Sequence, residues 1–489
     1  MCKRHLLLIA LILAGCASEE PGISPDRDRF YFPTGLALDP VRPLMYVACS
    51  NADLAFNGGT LLVLDIGKLP DDLRRVGDFV AQNKLDCKTS RTDTTVWECD
   101  EAQFIRPEAT LRVGDFPSTV RVTADGSRLF VPVRGQNYLL WAEIKDLDAT
   151  GHTVDLRCNA EECASAGSTD CAAWDCDDDH RVDYSEALRK TLPQEPFGIL
   201  LDELVAVHVD PTGARRTCRD GLPTAVPCDC STGNVCQGDD DVDCCKPPPP
   251  TGQTRIFLSH LYGGEVSYFN STPSGVTLQD IQGGFFAPSS SGLYGAFSLA
   301  ARRPGDADER VYVSSRYDSI LASFVVRDSS KIVNEGRVSM AALYPGTDSR
   351  DMVFAPGGDR LYVVSQQPAS LVAFDMSLED GVPRGETLWI EEVCSEPSVI
   401  RLDVARSRAY VVCFATAQIF VVDTDVGQVV DQIETGNGPN ELTLDIAHQR
   451  AFIINFLDNT LGVIDLDPSH ETYRRMMLRI GLQRNLVMK

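Results

Sequence analysis

Asp175, Asp177, Asp179, Asp183 and Glu186 stand at positions 1, 3, 5, 9 and 12 of a twelve-residue stretch, with Val182 at position 8. A calcium ion takes about six to eight hard oxygens at ~2.3–2.6 Å, and alternate residues of a tight loop can supply them. The same run also reads as an acidic, solvated loop pinned by disulfides, since Cys176 lies within it and Cys158, Cys163 and Cys171 precede it. A second group of charges, Arg121, Asp351, Arg401 and Glu441, falls on short apolar segments among mostly small residues. It could bind a polar ligand or pair internally.

Thiols are the third chemical resource. The 17 cysteines are clustered, which does not suit a reducing compartment. Cys87 and Cys99 fall in the stretch 67–107, the four of 158–176 in 146–194, and Cys218, Cys228, Cys230, Cys236, Cys244 and Cys245 in 211–253. These stretches are polar and lack periodic apolar residues, so crosslinks are the expected way to order them. Cys394 and Cys413 are a further candidate pair, and Cys49 is left as a buried free thiol. The order of pairing inside the four- and six-cysteine groups stays open.

The elements that must position these groups are strands. Seven times the chain gives a turn, an apolar strand, a tight turn and a second strand bearing an aromatic: Tyr46, Phe130, Phe257, Tyr312, Tyr362, Tyr410 and Phe452. With 20 Phe and 13 Tyr among 489 residues, chance would fill ~0.5 of the seven places. The later aromatics lie 55, 50, 48 and 42 residues apart, the length of one four-stranded propeller blade. The first two gaps, 84 and 127, are blades with insertions.

In the strand before each aromatic, counted from Pro33, Pro117, Pro196, Tyr294, Ser349, Pro397 and Pro439, the third and fifth residues are apolar throughout. Period two puts them on one face, which must press on a neighbouring sheet. The second and fourth residues then face the centre of the ring, and these include Arg121, Asp351, Arg401 and Glu441. Blade six lies between blades five and seven, so Arg401 could meet Asp351 or Glu441 with no ligand present. Arg121 has no acid in its column on either side, so it is the better ligand candidate. Third strands often end in an acid, as at Asp65, Asp375, Asp423 and Asp465.

These repeats resemble the YVTN-type β-propeller family, over about two-thirds of the mature chain. The resemblance implies an all-β, seven-bladed β-propeller of four-stranded antiparallel blades, with disulfide-rich inserted loops and a central channel. The 175–186 run resembles an EF-hand-type calcium loop. That resemblance implies calcium as a cofactor, bound by the carboxylates of Asp175, Asp177 and Asp179, the Arg181 carbonyl, Asp183 directly or through water, and bidentate Glu186, with an exit helix over 184–190. His180 departs from it, standing where a glycine is usual. Leu13-Ala14-Gly15-Cys16, after basic Lys3-Arg4 and apolar Leu6–Leu13, resembles the lipobox of bacterial lipoproteins. It implies cleavage before Cys16 and acylation of that residue.

The organisation expected is a signal peptide 1–15, a lipidated tether 16–32, a propeller over 33–482 interrupted at 67–107, 146–194 and 211–253, and a tail 483–489. A net charge of −25 argues against nucleic acid as partner. With no Cys-x-x-Cys-His, Walker loop, His-Glu-x-x-His or Gly-x-Ser-x-Gly pattern, neither haem nor nucleotide is expected. The functional expectation is a non-catalytic binding or scaffold module, lipid-anchored at the cell envelope and meeting a protein or a small polar ligand. The alternative is a lactonase-like hydrolase working in the axial channel.

Overall fold

The computed structural model describes residues 22–159, 174–205, 250–303, 310–339 and 347–481. Cys16 and the signal segment, Cys163, Cys171, the six cysteines of 218–245 and the tail 483–489 lie outside these residues. Seven four-stranded antiparallel sheets, each from consecutive chain, form the blades of a propeller. The first blade is Pro33–Leu38, Leu44–Cys49, Gly59–Asp65 and Leu111–Val113, and the seventh is Pro439–Asp445, Arg450–Asn455, Thr460–Asp465 and Met476–Ile480. The inner strands between them are Arg121–Val122, Pro196–Val205, Ala296–Ala301, Thr347–Phe354 and Pro397–Asp403. Each inner strand touches the next, and that of the seventh blade touches that of the first, so the ring closes without a shared blade.

The apolar pattern is what makes the ring stable. The third inner-strand residues Leu36, Val120, Ile199, Leu299, Met352, Ile400 and Leu442 are all buried, and so are the seven second-strand aromatics. Neither set can be covered within its own sheet, so each blade hides its faces against its neighbours. Outer strands face water on alternate residues, as Glu386–Glu392 and Gln428–Glu434 do. In four blades the acid that closes the third strand folds the next turn. Asp65, Asp375, Asp423 and Asp465 each accept the backbone N–H two residues on, at 2.9–3.1 Å.

A left-handed residue stands at the entry to every inner strand, inside it at Asp348 and before it at the others: Phe32, Phe116, Glu195, Gly295, Glu396 and Gly438, with φ between 50° and 67°. In six blades the inner strand then slips register within its first residues, and in the second blade the ladder lapses between Pro117 and Arg121. These bulges correct two expectations. In blade four the turn is at Gly295 rather than Tyr294, so Phe297 leaves the packed face for the axis, while Ser298 keeps the axial place expected of it. In every blade, the residue just after the turn is re-aimed toward the axis as well.

The first insertion has a structural task. Its helix Val76–Asn83 leads to Cys87–Thr89 and Trp97–Cys99, which pair with each other, and Trp97–Cys99 then pairs in parallel with Met476–Ile480. The last outer strand thereby gains a partner from the first blade. The Cys87–Cys99 disulfide and a buried ion pair, Arg479 Nη1 to Glu98 Oε1 at 3.0 Å, fasten this clasp. Disulfides also join Cys158 to Cys176 and Cys394 to Cys413, while Cys49 is a buried free thiol. Burial pushes that thiol up to about 12, which leaves it inert at neutral pH.

Candidate functional site

The seven inner strands enclose an axial cavity of about 180 Å³. Crowding explains its small residues. A Cβ on Gly35 would come within 2.6 Å of Thr119 Cα, and one on Gly198 within 2.0 Å of the Phe297 carbonyl oxygen. The lining has an outer tier from the residues just after the turns: Thr34, Ser118, Phe197, Phe297, Arg350, Ser398 and Asn440. Below it lie Thr119, Ser298, Asp351, Val399 and Glu441, with Arg121 and Arg401 deepest along their strands. All four charges expected at the axis are therefore there. The outer tier was missed because a strict period of two turns its residues away, and only the bulges bring them in. The recurrent Pro at the start of the inner strand was the available signal.

Most of these polar groups tie one blade to the next. Asn440 Nδ2 donates to the Thr34 carbonyl at 3.1 Å, Thr34 Oγ1 to that of Pro117 at 2.8 Å, and Ser118 Oγ to that of Phe197 at 2.8 Å. Ser259 Oγ bonds the Phe297 carbonyl across the next junction at 2.5 Å, and Ser298 Oγ donates to Asp351 Oδ1 at 3.0 Å. Arg401 Nη1 donates to Asp351 Oδ2 at 2.8 Å, and its Nη2 donates to Glu441 Oε1. Its Nε meets the Leu442 carbonyl at 2.9 Å. Asp351 also accepts the N–H groups of Met352 and Ile400, so both its oxygens are used twice. Burial alone would lower the Arg401 pKa, but Glu441 and Asp351 outweigh it and the guanidinium is held firmly charged.

Arg121 behaves differently. Its Nη1 donates to Thr119 Oγ1 and to the Val120 carbonyl, both at 2.9 Å. No carboxylate lies within ion-pair distance, and Nε and Nη2 have no partner among the described residues. Burial lowers its pKa, opposed by Glu441 and Asp351 at longer range. Arg350, by contrast, is engaged by Asp348 and by Gln366 Oε1 at 2.8 Å. At the mouth the Phe197 and Phe297 rings stand 4.3 Å apart, with Arg134 over one and Arg316 and Arg350 over the other.

The acidic stretch 175–186 lies far out on the second blade. Arg112 grips Asp175 side-on through Nε and Nη2, and Trp174 sits beneath Arg112 and Arg27. Asp177 caps the short turn Asp178–His180 and bonds His180 Nδ1 at 2.6 Å. Arg181–Val182 joins the edge of Tyr138–Asp146, and Tyr184–Ser185 pairs with Lys190–Thr191. The exit helix expected over 184–190 is thus a small hairpin, because Arg181 and Val182 are drawn into the sheet and break the helical phase. Asp179 and Asp183 are not brought together with the others, nor is Glu186. Among the described residues, no three His, Cys, Asp or Glu side chains gather round one point. As it stands, this loop does not fit a calcium cage. The Cys158–Cys176 disulfide and Arg112 pin it.

The chain is similar in fold to several solved structures. Sqt1 from Saccharomyces cerevisiae aligns with a TM-score of 0.50 at 9% identity, over 94% of this chain and 88% of that one. Hydrazine synthase from Kuenenia stuttgartiensis aligns with 0.50 at 11% identity, over 92% and 100%. The periplasmic gluconolactonase PpgL of Pseudomonas aeruginosa aligns with 0.50 at 12% identity, over 77% and 89%. At these identities the likeness is one of fold alone. No protein-family model matches the sequence, and no curated protein matches it.

Proposed function

We propose that this chain is a non-catalytic binding module of YVTN-type repeats. It is held at the cell envelope by an acylated Cys16, with the axial cavity as its small-ligand site and the inserted loops as a surface for protein partners. The observation that carries this reading is the state of the axial acids. A hydrolase needs a carboxylate or other base free to take a proton. Here Asp351 accepts four hydrogen bonds and Glu441 is paired with Arg401, so both acids serve the junctions between blades five, six and seven. The envelope location draws support from the Leu13-Ala14-Gly15-Cys16 sequence and from the three disulfides among the described residues, since such bonds persist in oxidising compartments.

One preparation tests both parts. Cells making the native chain and Cys16→Ser are fractionated, and each purified protein is assayed with D-glucono-1,5-lactone in a pH-stat. The expected outcome is membrane-bound native protein, soluble Cys16→Ser, and acid release no faster than the buffer blank. Turnover that disappears in Asp351→Asn or Glu441→Gln would establish the lactonase-like alternative instead.

A further inference from the structure

Arg121 is the group in the cavity that the interblade network leaves over. Its Nη1 is held by Thr119 and Val120, which fixes the guanidinium plane. The edge left free is the one carrying Nε and Nη2. Those two N–H groups are parallel and match the two oxygens of a carboxylate. The same molecule shows the fit elsewhere: Arg112 uses that edge on Asp175, and Arg74 uses it on Asp72 at 3.0 and 2.9 Å. Charge agrees with this. Arg121, Arg350 and Arg401 line the cavity against Asp351 and Glu441, so three cations face two anions and one positive charge remains. Asp348, which engages Arg350, is shared with Arg316, and the surplus stays at one.

The walls specify the rest of the ligand. Phe197 and Phe297 flank the mouth, and Ile199, Leu299 and Val399 add apolar surface. A cavity of ~150 Å³ holds a benzene ring, so about 180 Å³ suits a ring or short branched chain with one carboxylate. A compact inorganic dianion would leave the phenyl walls without contacts and overshoot the single positive charge. We infer that the axial cavity binds a small organic monocarboxylate, its carboxylate forked on Arg121 Nε and Nη2 and its apolar body beneath the Phe197 and Phe297 rings. This inference rests on the binding reading above and names its ligand class.

The test is calorimetric titration of the purified mature chain with benzoate, benzyl alcohol and inorganic phosphate, repeated on Arg121→Gln and Arg121→Lys. The inference expects saturable 1:1 binding of benzoate. Binding should weaken tenfold or more in Arg121→Gln and fall part of the way in Arg121→Lys, which keeps the charge but not the fork. Melting curves establish that the variants are folded. If neither variant folds, the three probes on the native chain still decide, because benzyl alcohol should bind at least tenfold more weakly than benzoate. Absence of benzoate binding overturns the inference. So does benzoate affinity unchanged in Arg121→Gln, equal affinity for benzyl alcohol, or tighter binding of phosphate. Each of these leaves the non-catalytic reading intact, which only lactone turnover contradicts.

Discussion

At the scale of single residues, buried polar groups divide into those that hold blades together and those that stand apart. His260 ends the second strand of the third blade, fully buried, with Nε2 2.8 Å from Ser267 Oγ. Burial lowers its pKa from 6.5 to about 3. The unfolded chain therefore takes up a proton near pH 6.5 that the folded chain refuses until about pH 3. Stability from this residue is complete above pH 6.5 and falls as the pH drops through that window, by up to about 1.4 kcal/mol per unit. Urea unfolding of the native chain and of His260→Asn between pH 7 and 5 checks this, and the native chain should lose more stability over that range. Parallel pH profiles would place the protonation cost elsewhere. The axial residues Arg121, Asp351, Arg401 and Glu441 were legible in the sequence, because charge among small residues at one strand position is conspicuous. Phe197 and Phe297 were not, because a strict period of two turns them away from the axis and only the backbone bulge brings them in.

At the scale of elements, the repeat was readable because two periods coincide. Alternation within a strand names its faces, and recurrence of the aromatic names the blade. The slip at Tyr294 and the missing helix over 184–190 share a cause: local pattern was followed where tertiary pairing decides. The clasp shows this most clearly. Trp97–Cys99 sits in a polar insertion with little alternation, yet it becomes a strand beside Met476–Ile480 because that edge is open and unpaired otherwise. The disulfide Cys87–Cys99 closes a 12-residue separation, which constrains the unfolded chain by about 2–3 kcal/mol. The double variant Cys87→Ser, Cys99→Ser should lower the free energy of unfolding by about that amount in denaturant titrations. It should also raise the tendency to aggregate, since the strand that covers the last edge is then fastened only by its backbone pairing and the ion pair of Glu98 with Arg479. A double variant as stable and as monodisperse as the native chain would show that the clasp is a passive decoration.

At the scale of the whole molecule, closure of the ring and construction of the cavity are one event. The side chains that line the axis are largely those that bridge adjacent blades, from Asn440 on Thr34 round to Arg401 between Asp351 and Glu441. A ring assembled this way uses its acids as fasteners and leaves the Arg121 fork facing the cavity. The seven-bladed fold could be read from the sequence because each sheet has one solution for hiding its apolar faces. The ligand could not, since it depends on which hydrogen bonds are left over once the blades have met. The most direct measurement is a crystal structure of the mature chain grown with benzoate. We expect seven blades, Arg401 joined to both Asp351 and Glu441, and a benzoate carboxylate on Arg121 Nε and Nη2 beneath the Phe197 and Phe297 rings. Arg121 paired with one of those acids, its fork closed and the probe seated elsewhere, would contradict it.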